Sequence, residues 1–155
     1  MSNVAGPIYR ERLWPAPWVF LATALVIPAS LLVFLPISTT VGIICAVVLY
    51  GAVLAALLLT SPLVEVTDAL FIAGRARLPL GVVAGAQPFV GAAATAERGT
   101  RLDARAWLLL RGWIPGLVRV QLDDPSDPTP YWLVSSRQPK KLAAVLGSTV
   151  RSGKN

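Results

Sequence analysis

The chain has 155 residues, enough for one ordinary domain, yet 55% are apolar, only 14% carry charge, and the mean hydropathy is +0.64. Such a composition is too apolar for a wholly soluble chain of this size. The net charge of +6 averages two unlike parts: Leu13 to Val64 holds no Asp, Glu, Lys or Arg, whereas Glu65 to Asn155 holds seven acids and twelve bases.

Absent residue types narrow the chemistry. With no histidine, the usual general base, the commonest metal ligand and every Ser-His or Cys-His nucleophile are missing. The single cysteine, Cys45, lies within an apolar run and has no partner for a disulfide or a zinc site, so it reads as a small packing residue. No metal and no cofactor are expected.

Residues 1–12 read as a short N-terminal segment carrying Arg10 and Arg12. The uncharged block that follows, 13–62, is long enough for two bilayer crossings of about 20 residues each. The first is predicted over 17–35, with Trp14 and Trp18 at its entry, where indole rings favour the headgroup level. Pro28 falls in mid-span and should kink the helix, with Thr23 and Ser30 near enough to help satisfy the freed carbonyl.

Pro36 to Thr40 is a short turn rich in breakers, and the second crossing follows over 41–59. It carries small residues four apart: Gly42 with Ala46, Gly51 with Ala55, Ala52 with Ala56. Such spacing lets another helix approach closely where lipid offers no hydrophobic gain. The first helix is the obvious partner, and a second copy or a foreign subunit is the sharper alternative. A permanent hairpin is expected rather than a cleaved leader, because one apolar segment is followed directly by another. Basic residues flank both outer ends, Arg10 and Arg12 before and Arg75 and Arg77 after, while the turn has none. The protein is therefore expected to be multi-pass in the plasma (inner) membrane with both termini cytoplasmic.

Beyond Pro62 the pattern changes to short alternating runs punctuated by Gly, Pro and Asp, which predicts strands across 63–155. Leu63–Thr67, Leu70–Ala73 and Ala76–Leu80 suggest a hairpin, and 81–90 a further strand. Trp107–Arg111 and Leu117–Leu122 read as the clearest pair, joined through Gly112 to Gly116. Asp123 to Pro130 is a turn built on Asx and Pro chemistry, which lacks the Gly and terminal Glu of a calcium loop, and Tyr131–Val134 forms another strand. A last helix opens at Pro139, with Leu142, Val145 and Leu146 as its apolar stripe. The fold class is thus membrane α+β: a transmembrane helical hairpin followed by a small antiparallel β domain, partly open as a barrel and closed by a C-terminal helix.

Two segments carry a family resemblance. Tyr9-Arg-Glu-Arg-Leu-Trp-Pro, and Asp124-Pro-Ser-Asp-Pro-Thr-Pro-Tyr-Trp-Leu-Val-Ser-Ser-Arg-Gln-Pro-Lys-Lys-Leu142, resemble the signature segments of an uncharacterised actinobacterial family of short, two-span membrane proteins. The strand, Ser-Arg, Pro and helix that end the second segment are also similar to the closing element of pleckstrin-homology-like domains, a likeness of fold that does not by itself imply lipid binding. The resemblance supplies no activity, ligand or catalytic residue.

No catalytic residue is named, and no spacing such as a phosphate-gripping glycine loop is present. A non-catalytic, membrane-anchored interaction or accessory subunit is the preferred role. Its partners would be the bilayer and another membrane protein, or a second copy, packed on the small-residue face. Tyr9, Trp14, Trp18, Trp113, Tyr131 and Trp132 are candidate interfacial or partner anchors. The alternative is a module for anionic lipid surfaces, with Arg75, Arg77, Arg98, Arg101, Arg105, Arg137, Lys140 and Lys141 as candidate contacts. Nucleic acid is not expected, since no basic helix or aromatic platform accompanies the charge.

Overall fold

The computed structural model describes residues 6–154; the remaining ends of the segments 1–12 and 63–155 lie outside the described residues. The chain divides into two units, one comprising residues up to Leu13 and from Pro62 onward, the other Trp14–Ser61. Together they make an α+β protein with two sheets and two apolar helical stretches.

The apolar unit contains α1 (Pro17–Thr23), α2 (Val26–Phe34) and α3 (Thr39–Leu59). Pro28 sits inside α2, and the helix breaks one turn earlier, at Ala24 and Leu25. The cause is local. Proline at position 28 has no N–H for the Ala24 carbonyl and its ring crowds that carbonyl, so the preceding turn opens. The Ala24 carbonyl is satisfied by the Ile27 N–H at 3.0 Å. This corrects the expected role of Thr23 and Ser30, whose hydroxyls donate instead to the Phe20 carbonyl (3.0 Å) and the Val26 carbonyl (2.7 Å).

Ser38 caps α3 by accepting from the Val41 N–H. α3 then packs along α2 and touches α1 only sparsely, where the Tyr50 hydroxyl donates to the Phe20 carbonyl at 3.4 Å. The stretches Pro17–Phe34 and Thr39–Leu59 are long and apolar enough to cross a membrane, and only 11% of either is buried. Leu21, Leu32, Val47 and Leu59 all point outward. A helix in a soluble core would show the reverse.

The β unit begins before the apolar block. Residues 9–12, expected as a separate N-terminal segment, form strand β1 (Tyr9–Arg12), which pairs antiparallel with β2 (Leu63–Val66) in the register Arg12↔Leu63. The helical unit is therefore inserted between two neighbouring strands of one sheet. β3 (Leu70–Ala73) and β4 (Ala76–Pro79) complete the order β1-β2-β3-β4. The Thr67 hydroxyl accepts from the Leu70 N–H and closes the first turn. Gly74, at φ 62°, supplies the left-handed residue of the next. Alternation sends Val64, Val66, Phe71, Ala73 and Leu78 inward.

A short 3-10 turn (Leu80–Val82) leads to β5 (Val83–Phe89) and then to α4 (Gly91–Arg98). The second sheet has the order β5-β7-β8-β6, with β6 Trp107–Leu109, β7 Leu117–Leu122 and β8 Tyr131–Ser135. The expected pairing of 107–111 with 117–122 is not made: β6 pairs in parallel with β8, and β7 lies on β8's other side. Burial explains the exchange. Every residue of β8 is buried, so this strand takes the centre with a neighbour on each side, while Trp107 stacks on Trp132 with ring centroids 4.2 Å apart.

α5 (Pro139–Ser152) closes the unit against β5 and β7. Its Leu142 and Leu146 join Phe71, Val118, Val120 and Trp132 in one core. Gly116 makes the closure possible: a Cβ there would lie 2.7 Å from the Ser136 carbonyl oxygen and 2.9 Å from Pro139 Cγ.

Candidate functional site

The two segments that carry the family resemblance are far apart in sequence and meet in space. Glu11, at the third position of β1, turns its carboxylate to the start of α5. One oxygen, Oε2, accepts from the Tyr9 hydroxyl (2.7 Å) and the Ser136 hydroxyl (2.6 Å), and the other, Oε1, accepts from the Arg137 N–H (2.8 Å). The Ser136 hydroxyl accepts in turn from the Gln138 N–H at 3.0 Å. Pro139 at the first turn of α5 needs no acceptor, so these contacts satisfy the donors that precede the helix. A negative charge also suits this end of the helix dipole.

Burial pushes the Tyr9 phenol up from 10.0 to about 12; the Ser136 hydrogen bond opposes the rise and the Glu11 carboxylate adds to it. At neutral pH Tyr9 is thus a hydrogen-bond donor. Glu11, with three donors on it, serves as an acceptor that fastens β1 to α5. The Arg137 guanidinium extends the fastening by donating to the Arg12 carbonyl at 3.4 Å.

A second polar cluster lies under α4. The Glu97 side chain, 2% exposed, takes Arg119 at 3.2 Å and Arg101 at 3.7 Å. The Arg119 guanidinium stacks over the Tyr131 ring, 4.1 Å from its centroid. The Tyr131 hydroxyl accepts from the Asp103 N–H at 2.8 Å. Arg98 donates to the carbonyls of Ile114 and Pro115, both at 2.7 Å, and so holds the end of α4 to the loop before β7. Arg105 grips Asp103 with two nitrogens, and that hydrogen bonding holds the Asp103 carboxyl below its ordinary value.

The eight basic residues singled out in the sequence therefore separate. Arg98, Arg101 and Arg105 are tied to carbonyls and carboxylates inside the unit, and Arg137 is docked on β1. Arg75 and Arg77, in the β3–β4 turn and on β4, and Lys140 and Lys141, on the first turn of α5, are exposed. The aromatic group separates too. Tyr9, Tyr131 and Trp132, among the candidate interfacial or partner anchors, are buried core residues that fill the unit's interior. Trp113 is half-buried with Arg111 above its ring, and Trp14 and Trp18 are exposed in the helical unit. Of the small residues in α3, Gly42 and Ala46 are buried, and a Cβ at Gly42 would touch Phe34 and Leu31 of α2. Gly51, Ala52, Ala55 and Ala56 remain exposed.

Sequence reasoning missed Glu11, Ser136, Glu97 and Arg119. A signal existed for the first pair, since both lie within the quoted signature segments. Besides these clusters, a groove of about 280 Å³ lies between Asp68 and Ala69, Leu80 and Gly81, and the end of α5 at Thr149 and Val150. Only Asp68 and Lys154 bring charge to it, too little to define a chemistry.

These features define a class: an α+β protein in which a β-sheet domain, fastened by a strand-to-helix carboxylate, carries an inserted apolar helical hairpin. Residues 8–146 match the family described as a protein of unknown function, DUF3093, and the chain belongs to that family. The match opens one residue before β1 and ends on the core residue Leu146 of α5, so it takes in both units and the Glu11 fastening. Neither a curated protein nor a solved structure matches the chain.

Proposed function

We propose that the protein is a non-catalytic, membrane-anchored accessory subunit: the α1–α3 hairpin spans the cytoplasmic membrane and the β unit works at its cytoplasmic face. The observation that carries this reading is the outward apolar surface of both helical stretches, only 11% buried, for which hydrocarbon is the fitting solvent. Two spans inserted between the paired strands β1 and β2 support a topology in which both termini share one face of the membrane. Arg10, Arg12, Arg75 and Arg77 favour the cytoplasmic face.

The β unit is read as pleckstrin-homology-like, on the strength of two antiparallel-rich sheets closed by a terminal helix; its parallel β6 departs from a wholly antiparallel plan. The accessory role is supported by α3 itself. Gly42 packs on Leu31 and Phe34 of α2 and Ala46 is buried, while Gly51, Ala52, Ala55 and Ala56 are left for a helix of another subunit or of a second copy. The test is purification of the full chain in mild detergent with and without Ala52→Leu and Ala56→Leu. A stoichiometric partner or dimer that the double substitution releases is expected. A monomer that no crosslinker joins to anything in the membrane would count against the role.

A further inference from the structure

We propose that the outer face of the first sheet binds the headgroups of anionic lipids. The inference rests on the membrane-anchored reading and adds to it the surface and the ligand.

The face follows from the register. With Tyr9, Val66, Phe71 and Leu78 turned into the core, the opposite side of the same strands carries a cross-strand row of Arg10, Glu65, Ile72 and Arg77. Arg12 lies on the same face two residues on, and Arg75 projects from the β3–β4 turn at that end of the sheet. Toward the other end, Leu70 stands opposite Pro79, and Ile8 is half exposed. Arg10, Arg75 and Arg77 thus meet one glutamate around a strip of Ile8, Leu70 and Ile72. The core that α5 and the second sheet share with these strands lies on their inner side.

Chemistry and spacing select the ligand. A cationic face with apolar side chains between the charges suits the headgroup zone, where guanidinium pairs with phosphate and aliphatic groups enter the boundary. Arg10 and Arg77 stand on the two edge strands, roughly 14 Å apart at a strand spacing of about 4.8 Å. No single phosphate bridges that gap, whereas a layer of headgroups meets both arginines at once. Connectivity supplies the proximity: four residues (13–16) join Arg12 to α1 and three (60–62) join α3 to Leu63. The basic strand ends are those that lead into the apolar helices, and the acidic Asp68 is at the opposite end.

The experiment uses the full chain with Cys45→Ala, reconstituted into phosphatidylcholine vesicles with or without a quarter phosphatidylglycerol. A fluorophore is attached at Ile72→Cys on the proposed face or, as control, at Ala144→Cys on the exposed side of α5, and contact is read by a lipid-borne quencher. Quenching at position 72 should rise with phosphatidylglycerol and fall in high salt, while position 144 stays unchanged. Arg10→Ser and Arg77→Ser should each reduce the ratio of lipid-bound to unbound sheet face about fivefold, the equivalent of about 1 kcal/mol per charge. Glu65→Gln should increase it, which separates a charge effect from a folding defect. Equal quenching at both positions, or no dependence on phosphatidylglycerol in a chain that resists alkaline extraction, overturns the lipid face alone. Release of the chain by alkaline extraction overturns the anchored reading and this proposal with it.

Discussion

Replacing Glu11 with alanine removes the acceptor on which Tyr9, Ser136 and the Arg137 N–H converge. The Ser136 hydroxyl is fully buried and Tyr9 nearly so. Each buried donor left without an acceptor costs about 1–3 kcal/mol. The Arg137 N–H belongs to an exposed residue and turns to water at little cost. The two hydroxyls already lie 3.5 Å apart, so a small shift recovers part of one bond, and the net loss is about 2–4 kcal/mol. For a β unit near 100 residues, roughly 4–8 °C of melting temperature accompanies each kcal/mol, so a fall of at least about 8 °C is expected. Glu11→Gln keeps one acceptor oxygen and sets an amide N–H against another donor, and should fall between the two. Thermal melting of the detergent-solubilised full chain, followed by tryptophan fluorescence, reads the effect because Trp107 and Trp132 pack together in the β unit. An alanine variant that melts within about 2 °C of the parent would refute the fastening role.

Three further outcomes follow from the same contacts. Tyr9 is held neutral by a pKa raised from 10.0 to about 12, so its contribution is complete below pH 10 and is lost as pH rises toward 12; melting against pH should show that alkaline loss in the parent and a smaller one in Tyr9→Phe. Gly116→Ala places a methyl 2.7 Å from the Ser136 carbonyl oxygen and should cost about 1–3 kcal/mol or more, whereas Gly112→Ala, which meets nothing within 4 Å, should melt close to the parent. Glu97→Ala strands Arg119 against Tyr131 and should cost about 3–5 kcal/mol, while Arg101→Ala, removing a side chain 65% exposed at 3.7 Å, should cost under about 1 kcal/mol in the same denaturation assay.

What the sequence disclosed followed its strongest periodicities. The 52 uncharged residues and the breakers at 36–40 marked two apolar helices, and alternation at 63–80 marked β2 to β4. The stripe at Leu142 and Leu146 marked α5, and Asp124 and Asp127 marked the turn in which their carboxylates accept from the N–H groups of Ser126 and Thr129. Tertiary contacts hid the rest. Tyr9 to Arg12 reads as a polar lead-in because its partner strand lies beyond the whole apolar block. Residues 107–111 and 117–122 look like a hairpin until β8, buried along its full length, takes the place between them. Arg98 and Arg101 read as surface charge because neither the carbonyls of Ile114 and Pro115 nor the buried Glu97 carboxylate is visible as a partner from spacing alone. The break at Ala24 was legible only as Pro28, one turn downstream, since proline disrupts the carbonyl four residues before it.

The most direct measurement is the membrane topology of the intact chain. A cytoplasm-active fluorescent reporter fused at the C-terminal end, combined with alkaline extraction of the membranes, interrogates anchoring and sidedness in one preparation. Fluorescence that stays with the membrane pellet after the alkaline wash is the predicted result. Fluorescence washed into the supernatant, or a C-terminal end reached by protease added outside intact cells, would contradict it.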